Sequence, residues 1–341
     1  MTDFENSTRP LQGQFMTMIE SIRTLPMLYA VARLQIADHL ADGPQSADEL
    51  AAHTGAYAQS LYRVLRALAT FNVFMENARG QFELTPLAEF LRSDVPNSMR
   101  QQVLWTGAPY RWHARGELLH TVMTGETAFQ HIHGMGVFEY LARHPDAAAL
   151  FNDAMSAMTA TYAEAAASAY DFGIFDRAMD VGGGHGTLMI TLLNRFPDLH
   201  GGIFDLSTVV EGTVSRLEAA GLLDRCDLVS GSFFEAVPSG YDAYILKDII
   251  HDWNDEDSLT ILRNCHAAMN SEARLLIIER VIPPGNEPFV GKMVDITMLV
   301  ETGGMERTAE QYQDLLAAAG FRIERIIPTS EASSIIEAIP V

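Results

Sequence analysis

The chain has 341 residues and a formal net charge of −21, with 23 basic against 44 acidic side chains. That length predicts two domains, and that charge argues against nucleic acid and anionic membrane as partners, since both repel an acidic surface. No apolar run is long enough to cross a bilayer, Met1 to Asn6 has neither the basic nor the apolar part of a signal peptide, and Cys226 and Cys265 are too few for a disulfide framework, which together predict a cytoplasmic protein with reduced thiols.

In chain order, residues 1–25 read as loosely ordered around a first helix over 11–22, and Pro26 opens a second over 27–40. Ser46-Ala-Asp-Glu49 is a capping box. Leu61, Val64, Leu65 and Leu68 share one helical face. Residues 71–75 and 81–85 read as strands around the turn Asn77-Ala-Arg-Gly80, and Thr85-Pro86 opens a further helix. Helix, turn, helix and hairpin form a winged-helix pattern, which raises a DNA-binding regulator as one reading. Residues 1–100 hold eight arginines and no lysine against eleven acidic residues. Such a regulator needs a basic stripe, and Arg63 and Arg66 do not make one.

Residues 101–170 read as mostly helical, with Trp105, Trp112, His113, Met155 and Met158 standing out. Methionines in such a helix are ordinarily core; the functional reading is an adaptable apolar wall around a flat substrate. From 177 onward, strands near 177–181, 202–205, 226–230, 242–248, 273–281, 321–328 and 333–340 alternate with helices over 186–196, 207–220, 256–270 and 308–319. Alternation implies a parallel, doubly wound sheet. The short link between the last two strands requires them to be antiparallel.

The stretch from Arg177 to Ile190 reads as strand, glycine turn and helix. Its glycines, Gly182, Gly183, Gly184 and Gly186, permit positive φ and close approach of a ligand to the backbone. Three ligands use such turns, and a turn without a ligand is the bland alternative. A phosphate loop needs a lysine, yet Lys247 and Lys292 are the only two and both lie far away. A dinucleotide turn needs a third glycine where Thr187 stands. S-adenosylmethionine needs no phosphate cradle, only close approach and an acid for the ribose diol. Asp205 lies 21 residues beyond Gly184, where that acid is expected.

Asp-Val-Gly-Gly-Gly-His-Gly at 180–186, Phe-Asp-Leu at 204–206, Gly-Ser-Phe-Phe at 231–234 and Leu-Lys-Asp-Ile-Ile-His-Asp-Trp at 246–253 resemble the plant-type small-molecule O-methyltransferases. That family includes caffeic acid O-methyltransferase and bacterial antibiotic-tailoring relatives. The resemblance spans essentially the whole chain. It implies an α/β fold: a Rossmann-like S-adenosylmethionine domain over 171–341, a helical pocket region over 101–170, and a mainly helical, winged-helix-like dimerisation domain over 1–100. It further implies a homodimer, a small aromatic substrate and S-adenosylhomocysteine as product. Cofactor contacts are expected from Asp180, Gly182, Gly184, Asp205, Leu206, Ser232, Phe233 and Lys247. One departure stands out: Ser232 replaces the family aspartate that binds the adenine amino group. Phe233 is placed to stack on adenine.

Methyl transfer is an in-line displacement, so the protein has to align the reactants and remove a proton if the acceptor is a hydroxyl. His251 follows the strand 242–248 at the rim where ligands bind, titrates near neutrality, and matches the family's catalytic histidine. Glu279, ending the strand 273–281, emerges at the same rim and is expected to accept the other imidazole N–H. Glu279 and Glu306 match the two family glutamates that flank the histidine. Trp105, Met155, Asp252 and Met298 are the substrate-side candidates. Asn254-Asp-Glu-Asp257 reads as an N-cap with an acidic first turn, so no metal is expected. Methylation of carbon or nitrogen by the same fold, and a regulator with a vestigial cofactor site, remain as alternatives.

Overall fold

The computed structural model describes residues 2–341, with side chains from Leu11 onward. It divides into two compact units, one ending at Trp112 and one starting at His113.

In the first unit, helices Thr2–Glu20, Thr24–Arg33, Ile36–His39, Ala47–Thr54 and Ala58–Ala69 precede a small sheet. Its strands are β1 (Gln45–Ser46), β2 (Phe74–Glu76) and β3 (Gln81–Leu84), antiparallel in the order β1-β3-β2. The capping box forms as expected: the Ser46 hydroxyl accepts from the Glu49 N–H, and the Glu49 carboxylate accepts from the Ser46 N–H at 2.7 Å. Leu50, Leu61, Leu65, Leu68, Phe74 and Phe82 make the core, while Val64 packs at its margin. Three helices differ from expectation. The first runs over Thr2–Glu20 rather than 11–22. The span 27–40 is broken at Gln35, whose φ of 54° is left-handed. After Thr85-Pro86 only a 3-10 turn, Ala88–Leu91, forms, because the Thr85 hydroxyl is held by the Asn72 and Val73 carbonyls of the hairpin.

The second unit is built on a seven-stranded sheet. Its strands are β4 (Arg177–Val181), β5 (His200–Asp205), β6 (Cys226–Ser230), β7 (Ala243–Lys247) and β8 (Arg274–Glu279), followed by β11 (Phe321–Pro328) and β12 (Ser334–Pro340). A two-stranded ladder, β9 (Val281–Ile282) with β10 (Arg307–Thr308), lies between them in sequence. The sheet order is β11-β12-β8-β7-β4-β5-β6. β4 to β8 are parallel, and β12 runs antiparallel to both β8 and β11. The chain winds outward from β4 to β6, then returns to place β7 on the other side of β4. The carboxyl end of β4 is therefore the switch point where ligands of such sheets bind. Both faces of the sheet are covered. Ile245 joins Leu188, Leu192 and Leu217 on one side, while Tyr244 and Leu246 join Ile261, Leu262 and Tyr312 on the other, as the two-residue period of a strand requires. The helix Gly291–Glu301 was not legible in the sequence, where Pro283-Pro284-Gly285 precedes it as a loop signal. Among the described residues, no helix is long and apolar enough to cross a membrane.

Candidate active site

The rim of the sheet is assembled strand by strand. Gly182, Gly184 and Gly186 all have left-handed φ, at 73°, 56° and 76°. A Cβ on Gly182 would lie 2.5 Å from Ile249 Cδ1 and 3.5 Å from the Phe233 ring, so only glycine lets these three segments meet. At Gly184 nothing lies within 4 Å of that position, which leaves an open backbone cradle. Asp205, ending β5, turns its carboxylate onto this turn: Oδ2 accepts from the Gly184 N–H at 2.8 Å and Oδ1 from the Leu206 N–H at 2.7 Å. Burial raises its pKa and those two N–H groups oppose the rise. Asp180, ending β4, is buried, and burial pushes its pKa up to about 7 against the pull of Lys247.

The remaining cofactor candidates follow on the next strands. Ser232 accepts the Phe234 N–H at 3.3 Å. Phe233 packs edge-on against Phe234 and Trp253. Lys247, ending β7, is ion-paired with Asp248 and lies 5.6 Å from the centroid of the Tyr162 ring. Leu206 is exposed at the N-cap of helix Ser207–Ala220. An open glycine cradle, a carboxylate beside it, an aromatic ring and an excess of buried acid fit a cationic nucleoside. They do not fit a phosphate, which would face these carboxylates without a free lysine.

Past β7 the chain turns sharply at Asp248, whose φ is 50°, into the 3-10 turn Ile250–Asp252. His251 sits on this turn and is buried. Here one expectation is overturned. Glu279 does not touch the imidazole. Its Oε1 accepts the backbone N–H groups of Ile249, Ile250 and His251 at 2.9, 2.6 and 3.2 Å, and its Oε2 accepts the Tyr312 hydroxyl. The reason is adjacency: β8 lies beside β7, so a side chain at its end reaches the converging N–H groups of the turn before it reaches the ring. Glu279 fixes the backbone that carries His251.

Glu306 takes the place expected of Glu279. Its Oε1 lies 2.8 Å from His251 Nδ1. The β9–β10 ladder pairs Val281 with Arg307, which sets Glu306 level with Arg280. The Arg280 guanidinium then bridges Glu306 at 3.3 Å and Asp248 at 3.1 Å. Asp295 of helix Gly291–Glu301 accepts the Glu306 N–H at 2.9 Å. On the far side of the ring, Nε2 is 3.8 Å from Asp252, with no hydrogen bond between them.

This packing sets the charges. Burial disfavours the His251 imidazolium, but Asp252, Glu306 and Asp248 outweigh it and push the pKa up to about 10. Burial raises Asp252 to about 7 against the attraction of His251. Asp248, despite its burial, is held well below the usual carboxylate range by Lys247 and Arg280.

Asp252 is thus beside His251, and Met298 is buried in the helix that also carries Asp295. Met155 is half-buried on helix Pro145–Ala169, two turns before Tyr162 and on the same face. The Tyr162 ring faces Lys247 and Arg280. Trp105 lies in the first unit, with its ring 3.5 Å from the Arg111 guanidinium. Asn254 caps helix Asp255–Ala268 through the Asp257 N–H, and Asp255 pairs with Arg307. Sequence reasoning missed Asp248, Arg280, Tyr162 and Asp295. Arg280 was the most findable, since it directly follows Glu279 at the end of a strand already placed at the rim.

Comparison with known proteins bears on this geometry. Residues 115–322 match the O-methyltransferase domain and residues 16–94 the O-methyltransferase dimerisation domain. The chain is 45% identical to the phenazine O-methyltransferase PhzM of Lysobacter antibioticus over 332 residues, which is 97% of each protein. It is 38% identical over 315 residues to the 8-amino-8-demethylriboflavin N,N-dimethyltransferase of Streptomyces davaonensis, covering 91% of this chain and 90% of that one. The crystal structure of LaPhzM matches with a TM-score of 0.94 at 45% identity, over 97% of this chain and 100% of that one. NcsB1 from neocarzinostatin biosynthesis, solved with S-adenosylmethionine and 2-hydroxy-5-methyl naphthoic acid, matches with a TM-score of 0.83 at 32% identity, over 93% and 96%. The winged-helix unit is thereby matched to a dimerisation domain, and the regulator reading is set aside.

Proposed function

Because the chain belongs to the S-adenosylmethionine-dependent O-methyltransferase family, we propose that this natural-product methyltransferase acts on a hydroxyl of a small aromatic substrate, with His251 as the group that takes the hydroxyl proton. The observation that carries the reading is the asymmetry of the imidazole: Nδ1 is fixed by Glu306 at 2.8 Å, whereas Nε2 has no hydrogen-bond partner closer than Asp252 at 3.8 Å. One nitrogen is oriented and the other is left for the acceptor.

S-adenosylmethionine, when bound, supplies an electrophilic methyl on a positively charged sulfur. The chain's own residues do the rest. In this reading Asp205 holds the ribose diol, Gly182 and Gly184 let the backbone approach, and Asp180 and Lys247 set the charge beneath. Phe233 stacks on the adenine and Ser232 accepts from its amino group. Met155, Asp252 and Met298 line the acceptor side. Alignment is the largest contribution, up to roughly 7–11 kcal/mol in the best intramolecular cases. The proton is the second. A phenol has a pKa of about 10, and His251, pushed up to about 10, is matched to it, so transfer between them is close to balanced. Glu306 holds the tautomer and stabilises the imidazolium, Arg280 and Asp248 hold Glu306, and Glu279 holds the turn.

The test is a product assay with S-adenosylmethionine and paired aromatic acceptors that differ only in carrying a hydroxyl or an amine at one position. Methyl ether formation on the hydroxyl member is the expected outcome. Exclusive methylation of the amine, or of ring carbon or nitrogen, would remove the O-methylation reading. The nitrogen alternative is favoured by one observation, the N,N-dimethyltransferase among the relatives.

Self-association is the other part of the proposal. Helix Thr2–Glu20 leaves Leu11, Phe15 and Met18 between 61% and 72% exposed, an apolar stripe in the unit that matches a dimerisation domain. Light scattering at micromolar concentration is expected to give the mass of two chains, and a single-chain mass overturns the homodimer.

A further inference from the structure

We propose that His120, Glu126 and His131 form a binding site for a divalent first-row metal ion of the Zn2+ type, separate from the residues assigned to methyl transfer. One ligand atom from each lies within 4.8 Å of the other two. His120 Nε2 is 3.0 Å from the Glu126 carboxylate, and the His120 and His131 rings stack at 3.8 Å with 15° between their planes. Two imidazoles and one carboxylate form a three-ligand set that leaves the fourth tetrahedral position to water. The imidazoles select zinc, copper, nickel or cobalt over magnesium and calcium, which prefer oxygen.

The backbone under these side chains is fixed without them. They stand on one helix-turn-helix segment, Leu118–Thr124 followed by Ala128–His133. Gly125 ends the first helix in the left-handed region, at φ 78°. The Thr124 hydroxyl accepts the Glu126 N–H at 3.1 Å and donates to the His120 carbonyl at 2.8 Å. Thr127 caps the second helix through the Gln130 N–H, and its carbonyl accepts the His131 N–H at 3.1 Å. Bonds of about 2.0–2.2 Å to a tetrahedral ion draw its ligand atoms to roughly 3.4 Å apart. Glu126 and His131 are exposed and His120 is half-exposed, so rotation about the side-chain bonds achieves that closure while the helices stay in place. The net charge of −21 raises the local concentration of cations.

The position gives the ion a structural consequence. Both short helices pack on helix Gly291–Glu301, which carries Met298 and the Asp295 that holds Glu306. The Thr127 methyl closes against Gly303, just past the end of that helix, where a Cβ would come within 3.2 Å of it. A bound ion ties the two short helices together and stiffens the wall they form behind Met298.

Calorimetric titration of the tag-free, chelator-treated full-length protein with ZnCl2 tests the site. One equivalent per chain is expected for wild type. A His120→Ala/His131→Ala variant is expected to lose at least about tenfold in affinity, the lower end of what loss of even an outer supporting group costs a metal site. Retained S-adenosylhomocysteine binding by the variant shows that it is folded. Proton NMR of the Co2+-loaded wild type reads the ligands without any substitution, and two strongly shifted exchangeable imidazole signals are expected. Absence of Zn2+ uptake by wild type, unchanged uptake by the folded double variant, or a Co2+ form with no imidazole signals overturns the proposal.

Discussion

Asp205→Ala is expected to weaken S-adenosylhomocysteine binding by roughly 10²–10⁴-fold, read by calorimetric titration. The carboxylate has two tasks at once. It already accepts from the Gly184 and Leu206 N–H groups, which gives the open cradle its shape, and it is proposed to accept from the ribose diol. Hydrogen bonds to a charged group contribute about 1.5–3 kcal/mol each, so losing two on the ribose removes about 3–6 kcal/mol, which is the stated range. Asp205→Asn separates the tasks. Asparagine keeps one acceptor but points an amino group at one of the two backbone donors, so it is expected to fall between wild type and alanine. Affinity close to wild type in the alanine variant would falsify the assignment of Asp205 to the cofactor. Lost binding together with a lowered unfolding temperature in the absence of ligand would instead assign the residue to the turn alone.

How far the sequence carries this site depends on the range of the interaction. The glycine turn, the acid 21 residues beyond Gly184 and the histidine after β7 are local signals, because each sits at a strand end that its own apolar run marks. The sheet was legible for the same reason: strand-like runs that alternate with helices and end in a short hairpin link leave few topologies. The partner of the imidazole was not legible. Glu279 and Glu306 are both acids near the rim, and nothing local says which one reaches the ring. The decision is made by a ladder of two residues per strand, β9 with β10, that sets Glu306 opposite Arg280. Pairing so short leaves no periodicity in sequence. Helix Gly291–Glu301 was lost to the same weakness, since its apolar residues surround no clean stripe and a proline pair precedes it.

His251→Ala is expected to lower kcat by about 10²–10⁴-fold, the usual contribution of a positioned base, while S-adenosylhomocysteine affinity stays within a few-fold of wild type. The pH profile makes this a test of mechanism as well as of importance. With its pKa raised from 6.5 to about 10, His251 is an imidazolium in the resting enzyme at neutral pH and must lose that proton before it can accept another. The neutral fraction grows tenfold per pH unit until the pH reaches the pKa, so log kcat/KM, which reports the free enzyme, is expected to rise with unit slope from pH 7 toward 10. The acceptor phenol titrates in the same range, and the variants separate the two. Glu306→Gln removes one of the groups that raise His251, so the limb is expected to move to lower pH even as the maximal rate falls. A limb that belonged to the acceptor would keep its position in Glu306→Gln and would survive in His251→Ala. A purely structural role for Glu306 would lower the rate at every pH and shift nothing. If His251→Ala retains full activity, the proton leaves by another route, and alignment by the glycine cradle and its neighbours accounts for catalysis without a base.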